Sequence, residues 1–219
     1  MGCQSCFWIG WRHVVRACRT GPHFDFPRKD PTLMTDPLAQ LRADFDAQAG
    51  RSLALPVAGA IVWTVVGIAA LFVPPRTSIF VLIIGTGAIF PIGLLLAAVL
   101  REKLFNTTNP LAKLMGMCVL MVNLLWAVHL TLLYVAPTLI PLTLGIGLGL
   151  HWIVFSWIIQ HPMGTIHAIA RTILVTAAWW LFPEHQMSAV AAAVVITYLY
   201  SIVALRFRTL NTMNGMAAL

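Results

Sequence analysis

The chain has 219 residues, of which 59% are hydrophobic and only 10% are charged. A soluble domain carries about 25% charged residues, so this composition excludes an ordinary water-soluble fold and favours the bilayer as solvent. The formal charge of +7 would suit a nucleic-acid-binding protein. The basic residues are instead spread over separate loops without forming one patch, so no nucleic-acid partner is predicted.

Residues 1–33 differ from the rest of the chain and are predicted to be a non-native or disordered extension. Their apolar stretch, 6–15, is interrupted by an arginine and a histidine and is too short for a signal-peptide core or a span. Asp36 and Pro37 then offer a helix cap and a first-turn proline. We therefore expect the native chain to start at Met34.

Residues 34–54 are predicted to form an amphipathic juxtamembrane helix. Leu38, Leu41 and Phe45 recur at helical spacing and fall on one face, while charged side chains lie elsewhere. Such a segment is typical of a helix that lies on the membrane surface. A frayed cytoplasmic lead-in is the alternative that the pattern leaves open.

Six apolar runs follow, each with about the length that a helix needs to cross a hydrocarbon core of ~30 Å. Because the runs are continuous and do not alternate, they exclude a β-barrel, and backbone groups in lipid must then bond within helices. The sequence predicts an all-α integral membrane bundle, with a six-span domain over residues 55–206 and a cytoplasmic tail over 207–219. The predicted spans are 55–73, 78–100, 111–135, 138–159, 165–182 and 187–205.

The lysine and arginine residues predict that both termini are cytoplasmic. Twelve of them lie in the N-terminal arm, in the loop 101–110 with Lys113, and in the tail, whereas Arg76 stands alone on the opposite side. Without residues 1–33 the ratio is still seven to one. Positively charged loops stay inside, so the predicted location is the bacterial cytoplasmic (inner) membrane.

Three polar residues fall inside the predicted spans. Asn123 and His151 lie near the midpoints of the third and fourth spans, and His129 lies nearer the outer boundary. Polar groups in hydrocarbon are costly, so they are functional candidates by default. Two interpretations stay open: packing contacts between helices, or the lining of a substrate path. All seven acidic residues lie in tails or loops, so a carrier built on a buried carboxylate is not predicted.

A second candidate group lies at the cytoplasmic side of the fifth span. His167 and Arg171 are four residues apart and share a helical face. With His161 they are predicted to form a basic rim that binds a lipid head group or another anion. The alternative is a topological anchor, in which the arginine side chain reaches the interface.

No catalytic, cofactor-binding or metal site is predicted, and an enzyme is not supported. The chain has no H-x-x-x-H pair with a base, no G-x-S-x-G elbow and no Walker loop. The glycines Gly145, Gly147 and Gly149 are typical of close helix packing or a kinked span.

Four short motifs lie between residues 36 and 206: Leu41-Arg42-x-Asp44-Phe45, Ile89-Phe90-Pro91-x-Gly93-Leu94-Leu95, Asn109-Pro110-Leu111 and Gly149-x-His151-Trp152. In these motifs the chain resembles an uncharacterised family of small bacterial multi-pass membrane proteins. The resemblance implies a helical protein of about six spans without an assigned activity. It also implies a short cytoplasmic N-terminus, in agreement with a start near Met34, and it transfers no catalytic residue.

Two functional classes remain. The favoured one is a non-enzymatic membrane protein with a structural or regulatory role, in which the polar residues serve packing. The alternative is a small transporter with a polar path near His151. The predicted partner is the lipid bilayer, including anionic head groups, and homo-oligomerisation is left open.

Overall fold

The computed structural model describes residues 36–51, 53–102 and 108–210. The predicted extension, 1–33, lies outside these ranges, as do residues 211–219 of the predicted tail. Every regular element in the described ranges is helical and none is a strand, which confirms the all-helical prediction. The α-helices are α1 Pro37–Ala49, α2 Ala54–Ala69, α3 Pro75–Leu100, α4 Pro110–Leu124, α5 Trp126–Val135, α6 Ile140–Gly147, α7 Trp152–Ile159, α8 Met163–Leu181 and α9 Gln186–Phe207.

Four helical segments in the described ranges are long and apolar enough to cross a membrane. They are Pro75–Leu100, Pro110–Val135, Pro137–Ile159 and Pro183–Phe207, and the bent pair α1–α2 would add a fifth if it formed one span. The sequence predicted six spans. Helices α2 and α8 account for the difference. With 16 residues, α2 is about 24 Å long at 1.5 Å per residue, which is shorter than a hydrocarbon core of about 30 Å. The histidine and arginine of α8 lower its mean hydropathy.

Proline marks the start of most helices. Pro37, Pro75 and Pro110 each occupy the first turn of a helix, where the missing N–H group would have had no helical partner. The side chains of Asp36 and Asn109 accept from the backbone N–H of Leu38 and Leu111 at 3.0 and 2.8 Å. These caps satisfy orphan donors, so the helices begin at sharply defined positions.

The core lies between α2, α3, α8 and α9, where Trp63, Leu82, Val175 and Val190 are fully buried. The outer surface of the bundle is also apolar. Its exposed side chains include Ile84, Leu95, Leu124, Leu181 and Val203. A monomer in water rarely exposes so large a contiguous apolar surface, so this surface fits a membrane protein.

The helix ends form two sets. At one end, the Glu102 carboxylate accepts from the N–H groups of Leu53 and Ala54 at 2.8 and 2.9 Å, which caps α2. At the opposite end, the Trp179 indole donates to the Thr138 carbonyl at 3.1 Å. Successive long segments therefore run back and forth through the bundle.

Helix α1 packs against the end of the bundle that carries Glu102. Phe45 is buried and meets the Phe155 ring edge-on, with the ring centroids 6.5 Å apart. The Arg42 guanidinium lies over the Trp157 ring at 4.6 Å from its centroid. Asp46 and Arg208 form an ion pair at 2.9 Å with both side chains almost fully buried. The apolar face of α1 is thus covered by other helices of the chain.

Candidate functional site

The site is organised around Arg171, a fully buried arginine in the middle of α8. Its Nε donates to the carbonyl oxygen of Gly145 in α6. Its stem lies against Gly149, where an added Cβ would stand 2.7 Å from the arginine Cδ. Glycine at that position therefore leaves the space through which the side chain reaches α6.

The regular α-helical hydrogen bonding is interrupted at residues 148–151, and this interruption, called the break below, supplies the arginine with its acceptor. Between α6 and α7, residues 148–151 form turns, and the Gly149 N–H bonds to Ile146 O at 2.8 Å. In a continuous α-helix that N–H would bond to the carbonyl of Gly145, four residues earlier. The break leaves the Gly145 carbonyl free for Arg171.

His167 connects the arginine to α9. Its Nδ1 lies 3.0 Å from Thr197 O and 2.7 Å from Ser201 Oγ, and its Nε2 lies 3.5 Å from Arg171 Nη1. Because a guanidinium only donates, Nε2 must accept, which assigns the ring proton to Nδ1. That proton is donated to α9. His167 is thus held as a neutral ring between two helices.

Aromatic side chains from three helices enclose the pair. Trp152 of α7 stacks on the His167 ring with the centroids 4.4 Å apart. The Arg171 Cζ lies 5.0 Å from the Tyr198 ring centroid and 5.8 Å from that of Trp63. Cation–π contacts of this kind stabilise a desolvated guanidinium by about 2 kcal/mol.

Four buried polar atoms at the site have no hydrogen-bond partner among the residues that the structure describes. They are Arg171 Nη2, the indole Nε1 atoms of Trp63 and Trp152, and His151 Nδ1. Three of the four can only donate. Buried donors are normally paired, because leaving one unpaired costs about 1–3 kcal/mol.

The positive charge of Arg171 has no carboxylate beside it among the described residues. The acidic residues in the described ranges lie in or next to α1, at Glu102 after α3, and at Glu184 in the turn between α8 and α9. Asp46 pairs with Arg208 and Glu102 caps α2. Arginine keeps its charge in proteins, and an unpaired charge is expensive in an apolar interior. The site is therefore electropositive.

The structure groups the predicted residues differently from the sequence. His167 and Arg171 were placed with His161 on an exposed rim, but both are fully buried and share one aromatic cluster with His151 through Trp152. Their helical face points into the bundle, so the arginine does not reach the interface. His161 lies apart at the start of α8, where its Nδ1 accepts from the Met163 N–H at 3.2 Å.

Asn123 and His129 do not join the cluster. Asn123 is exposed on the outer surface, and its amide donates to Val119 O of its own helix at 2.8 Å. His129 is buried, and its Nδ1 lies 3.2 Å from Thr143 Oγ in α6. The three polar residues predicted inside the spans therefore occupy separate positions, and their role in binding stays a prediction.

Sequence reasoning missed Trp63, Trp152 and Tyr198, the aromatic residues around Arg171. Isolated aromatic residues in apolar runs carry no periodic signal that would link helices so far apart in sequence. The closely spaced glycines before His151 were the one local indication of the break.

Within the described ranges, no three His, Cys, Asp or Glu side chains are grouped so that they could hold a metal ion.

A family profile described as a family of unknown function (DUF7010) matches residues 38–208. No curated protein and no solved structure matches the chain. The match covers well over half of the sequence and confirms the resemblance to an uncharacterised family, whereas bacterial origin and a six-span topology stay predictions. The chain belongs to the DUF7010 family of unknown function.

Proposed function

We propose that this member of the DUF7010 family is a six-span, non-enzymatic membrane protein with a structural or regulatory role. The observation that supports it is the way polar groups at membrane depth are used. Asn123 bonds to its own helix, while His129 and His167 tie neighbouring helices together. The contacts of the two histidines join neighbouring helices and so stabilise the bundle.

The six-span topology rests on α2 and α8 running through the core alongside the four longer segments. Val66 of α2 and Val175 of α8 are fully buried, so each helix is an integral part of the bundle. Apart from the buried Arg171, the basic residues of the described ranges lie at the end formed by α1, the 101–102 turn, the start of α4 and the end of α9, with Arg76 near the other end. We propose that the basic end is cytoplasmic in a bacterial inner membrane.

Labelling of single cysteines tests this topology. With the native cysteines replaced by serine, an impermeant maleimide added to intact cells is expected to label Thr138→Cys and Glu184→Cys. Arg51→Cys, Arg101→Cys and Thr209→Cys should be labelled only after lysis. All five positions are exposed at helix ends. Labelling of Arg51→Cys in intact cells while Arg101→Cys stays unlabelled would show that α2 does not span, and would overturn the six-span proposal.

The exposed basic residues at the same end are the proposed contact for anionic lipid head groups. Arg51, Arg101, Lys113 and Arg206 are solvent-exposed, and each basic residue near an anionic surface contributes about 1 kcal/mol. Arg171 is too deeply buried for this role.

A small transporter is the second candidate, because one long helical segment loses its regular α-helical hydrogen bonding beside a buried charge. Discontinuous helices with polar groups at their break are how secondary transporters build a substrate site. The break at residues 148–151 and the buried Arg171 have this character. The groove that borders the break, of about 210 Å³, is lined almost entirely by apolar side chains. That lining is unfavourable for a polar substrate and supports the non-transporting role.

Thermal unfolding in the presence of anionic and neutral metabolites, at constant chloride, separates the two roles. For a structural or regulatory protein we expect no specific rise of the unfolding midpoint, and His151→Ala should lower stability by about 1 kcal/mol. A saturable rise that is lost in His151→Ala but kept in the matched variant His161→Ala would favour a transporter. Both histidines are half-buried, so His161→Ala is a matched control for His151→Ala.

A further inference from the structure

The buried charge of Arg171 lacks a full counter-charge. Its acceptors are one backbone carbonyl and the neutral ring of His167, and two aromatic faces lie over or near it. These groups supply partial negative charge and leave Nη2 without a partner. Because the guanidinium cannot lose its proton in a protein, the remaining charge calls for an anion.

We infer that Arg171, Trp63 and Trp152 bind a small monovalent anion of halide size inside the bundle. The unpartnered Nη2 and the two unpartnered indole N–H groups belong to side chains that are at least nine-tenths buried. Guanidinium and indole groups donate and do not accept. The donor set therefore suits a ligand that is a pure acceptor, and a metal cation would be repelled.

His151 is the fourth member of the site. Its unpartnered Nδ1 adds a further donor when the ring proton lies on that nitrogen. The residue stands at the end of the backbone break, next to Trp152, with the two ring centroids 5.9 Å apart. Movement of the 148–151 turn would carry both donors together, so occupancy of the site and the conformation of the break are expected to be coupled.

The size of the anion follows from the packing. Neither the cavity beside Val73 and Pro183 nor the groove beside Leu150 and Thr172 includes Arg171, Trp63 or Trp152 among its lining residues. The Tyr198 and Trp63 rings lie 5.0 and 5.8 Å from the guanidinium carbon, and Gly149 packs closely against the methylene groups of the arginine. A phosphate or a lipid head group would have to displace these rings, whereas a single spherical ion is smaller than either and displaces them least.

The charge of the anion follows from the same donor set. A single guanidinium is the only formal charge at the site, because His167 is held neutral between Arg171 and α9. A monovalent ion neutralises that charge, but a divalent ion would leave one negative charge buried. The proposed anion site depends only on contacts among described residues. A failed test of the site would therefore leave the six-span proposal unaffected, and the reverse is also true.

Anion titration of the purified full chain in detergent tests the site. The probes are chloride and bromide, each exchanged against gluconate at constant ionic strength, and the readout is the thermal unfolding midpoint by circular dichroism. We expect the midpoint to rise with chloride and to saturate, because an anion that binds only the folded state stabilises it. Inorganic phosphate at the same ionic strength is expected to give a smaller rise.

Variants assign the effect to the site. Arg171→Gln should abolish the chloride response, while Trp63→Phe and Trp152→Phe should each raise the half-saturating concentration about tenfold, since each removes one charge-assisted hydrogen bond. Arg206→Gln, an exposed arginine in α9, is the matched control and should respond as the parent does.

Equal midpoints in chloride and gluconate, or a chloride response that persists in Arg171→Gln, would overturn the proposal. A larger rise with phosphate than with chloride would overturn the halide assignment. If Arg171→Gln does not fold, the two tryptophan variants decide, because phenylalanine keeps the aromatic ring and removes only the N–H donor. An unchanged half-saturating concentration in both of them would exclude the site.

Discussion

Arg208→Ala is expected to lower the free energy of unfolding by about 3–5 kcal/mol, because it removes the guanidinium from a buried ion pair with Asp46. The arginine Nη1 donates to both carboxylate oxygens at 3.0 and 2.9 Å. The two side chains are 4% and 1% exposed, so water cannot replace the lost partner. Nη2 also lies 3.5 Å from Gly50 O, where α1 ends.

The measurement is thermal or denaturant unfolding of the purified protein, together with limited proteolysis of α1. Arg206→Ala is the matched control, because Arg206 is an exposed arginine two residues earlier, and it should change stability by less than about 0.5 kcal/mol. Asp46→Ala is expected to cost as much as Arg208→Ala. The double variant Asp46→Leu with Arg208→Leu should recover most of the loss, since it removes both buried charges. Equal stability of Arg208→Ala and Arg206→Ala would contradict the role of the pair.

The position of this ion pair explains why α1 is not a free surface helix. The charged side chains of α1 are not confined to the face opposite its apolar residues, because Asp44 and Asp46 lie close to the apolar face. Asp46 faces inward because Arg208, 162 residues later, meets it there. Asp44 accepts from the Asn109 side chain at 2.7 Å. Acidic residues that the sequence placed outside the spans thus join the N-terminal helix to the loop before α4 and to the end of α9.

The helices could be predicted from the sequence because their signals are local. The predicted runs 78–100 and 165–182 correspond to α3, Pro75–Leu100, and α8, Met163–Leu181. Apolar length and flanking proline set these boundaries, and both can be read within one segment. The number of spans was harder to predict, because α2 is short and α8 carries two polar residues whose burial depends on the rest of the bundle.

The site could be predicted only in part. The spacing of His167 and Arg171 places them on one helical face, but spacing does not tell which face turns inward. A snorkelling arginine and a core arginine have the same local sequence. The choice depends on acceptors elsewhere in the chain: the Gly145 carbonyl in α6, and Thr197 and Ser201 in α9. These contacts span 26 to 34 residues and leave no local pattern.

Close approach of α7 and α8 fixes the geometry around His167, and one glycine permits it. An added Cβ at Gly164 would overlap the carbonyl oxygen of Trp152, and would stand 3.1 Å from the Ser156 Cβ. The obstacle is backbone, which cannot swing aside as a long side chain can. Ser156 also holds the turn before α8, because its hydroxyl donates to the His161 carbonyl.

Gly164→Ala is therefore expected to lower the free energy of unfolding by about 3 kcal/mol, at the upper end of the usual cost of overpacking. Relief of the overlap would push α8 away from α7 and separate the stacked rings of Trp152 and His167. The expected readouts are a lower unfolding midpoint, a changed tryptophan emission spectrum and a weaker chloride response. Gly116→Ala is the control, because a Cβ at Gly116 in α4 meets nothing within 4 Å. That variant should be neutral or more stable by about 0.5–1 kcal/mol, since alanine is the better helix former. If the two alanine variants unfold at the same midpoint, the close contact between α7 and α8 does not determine the stability of the bundle.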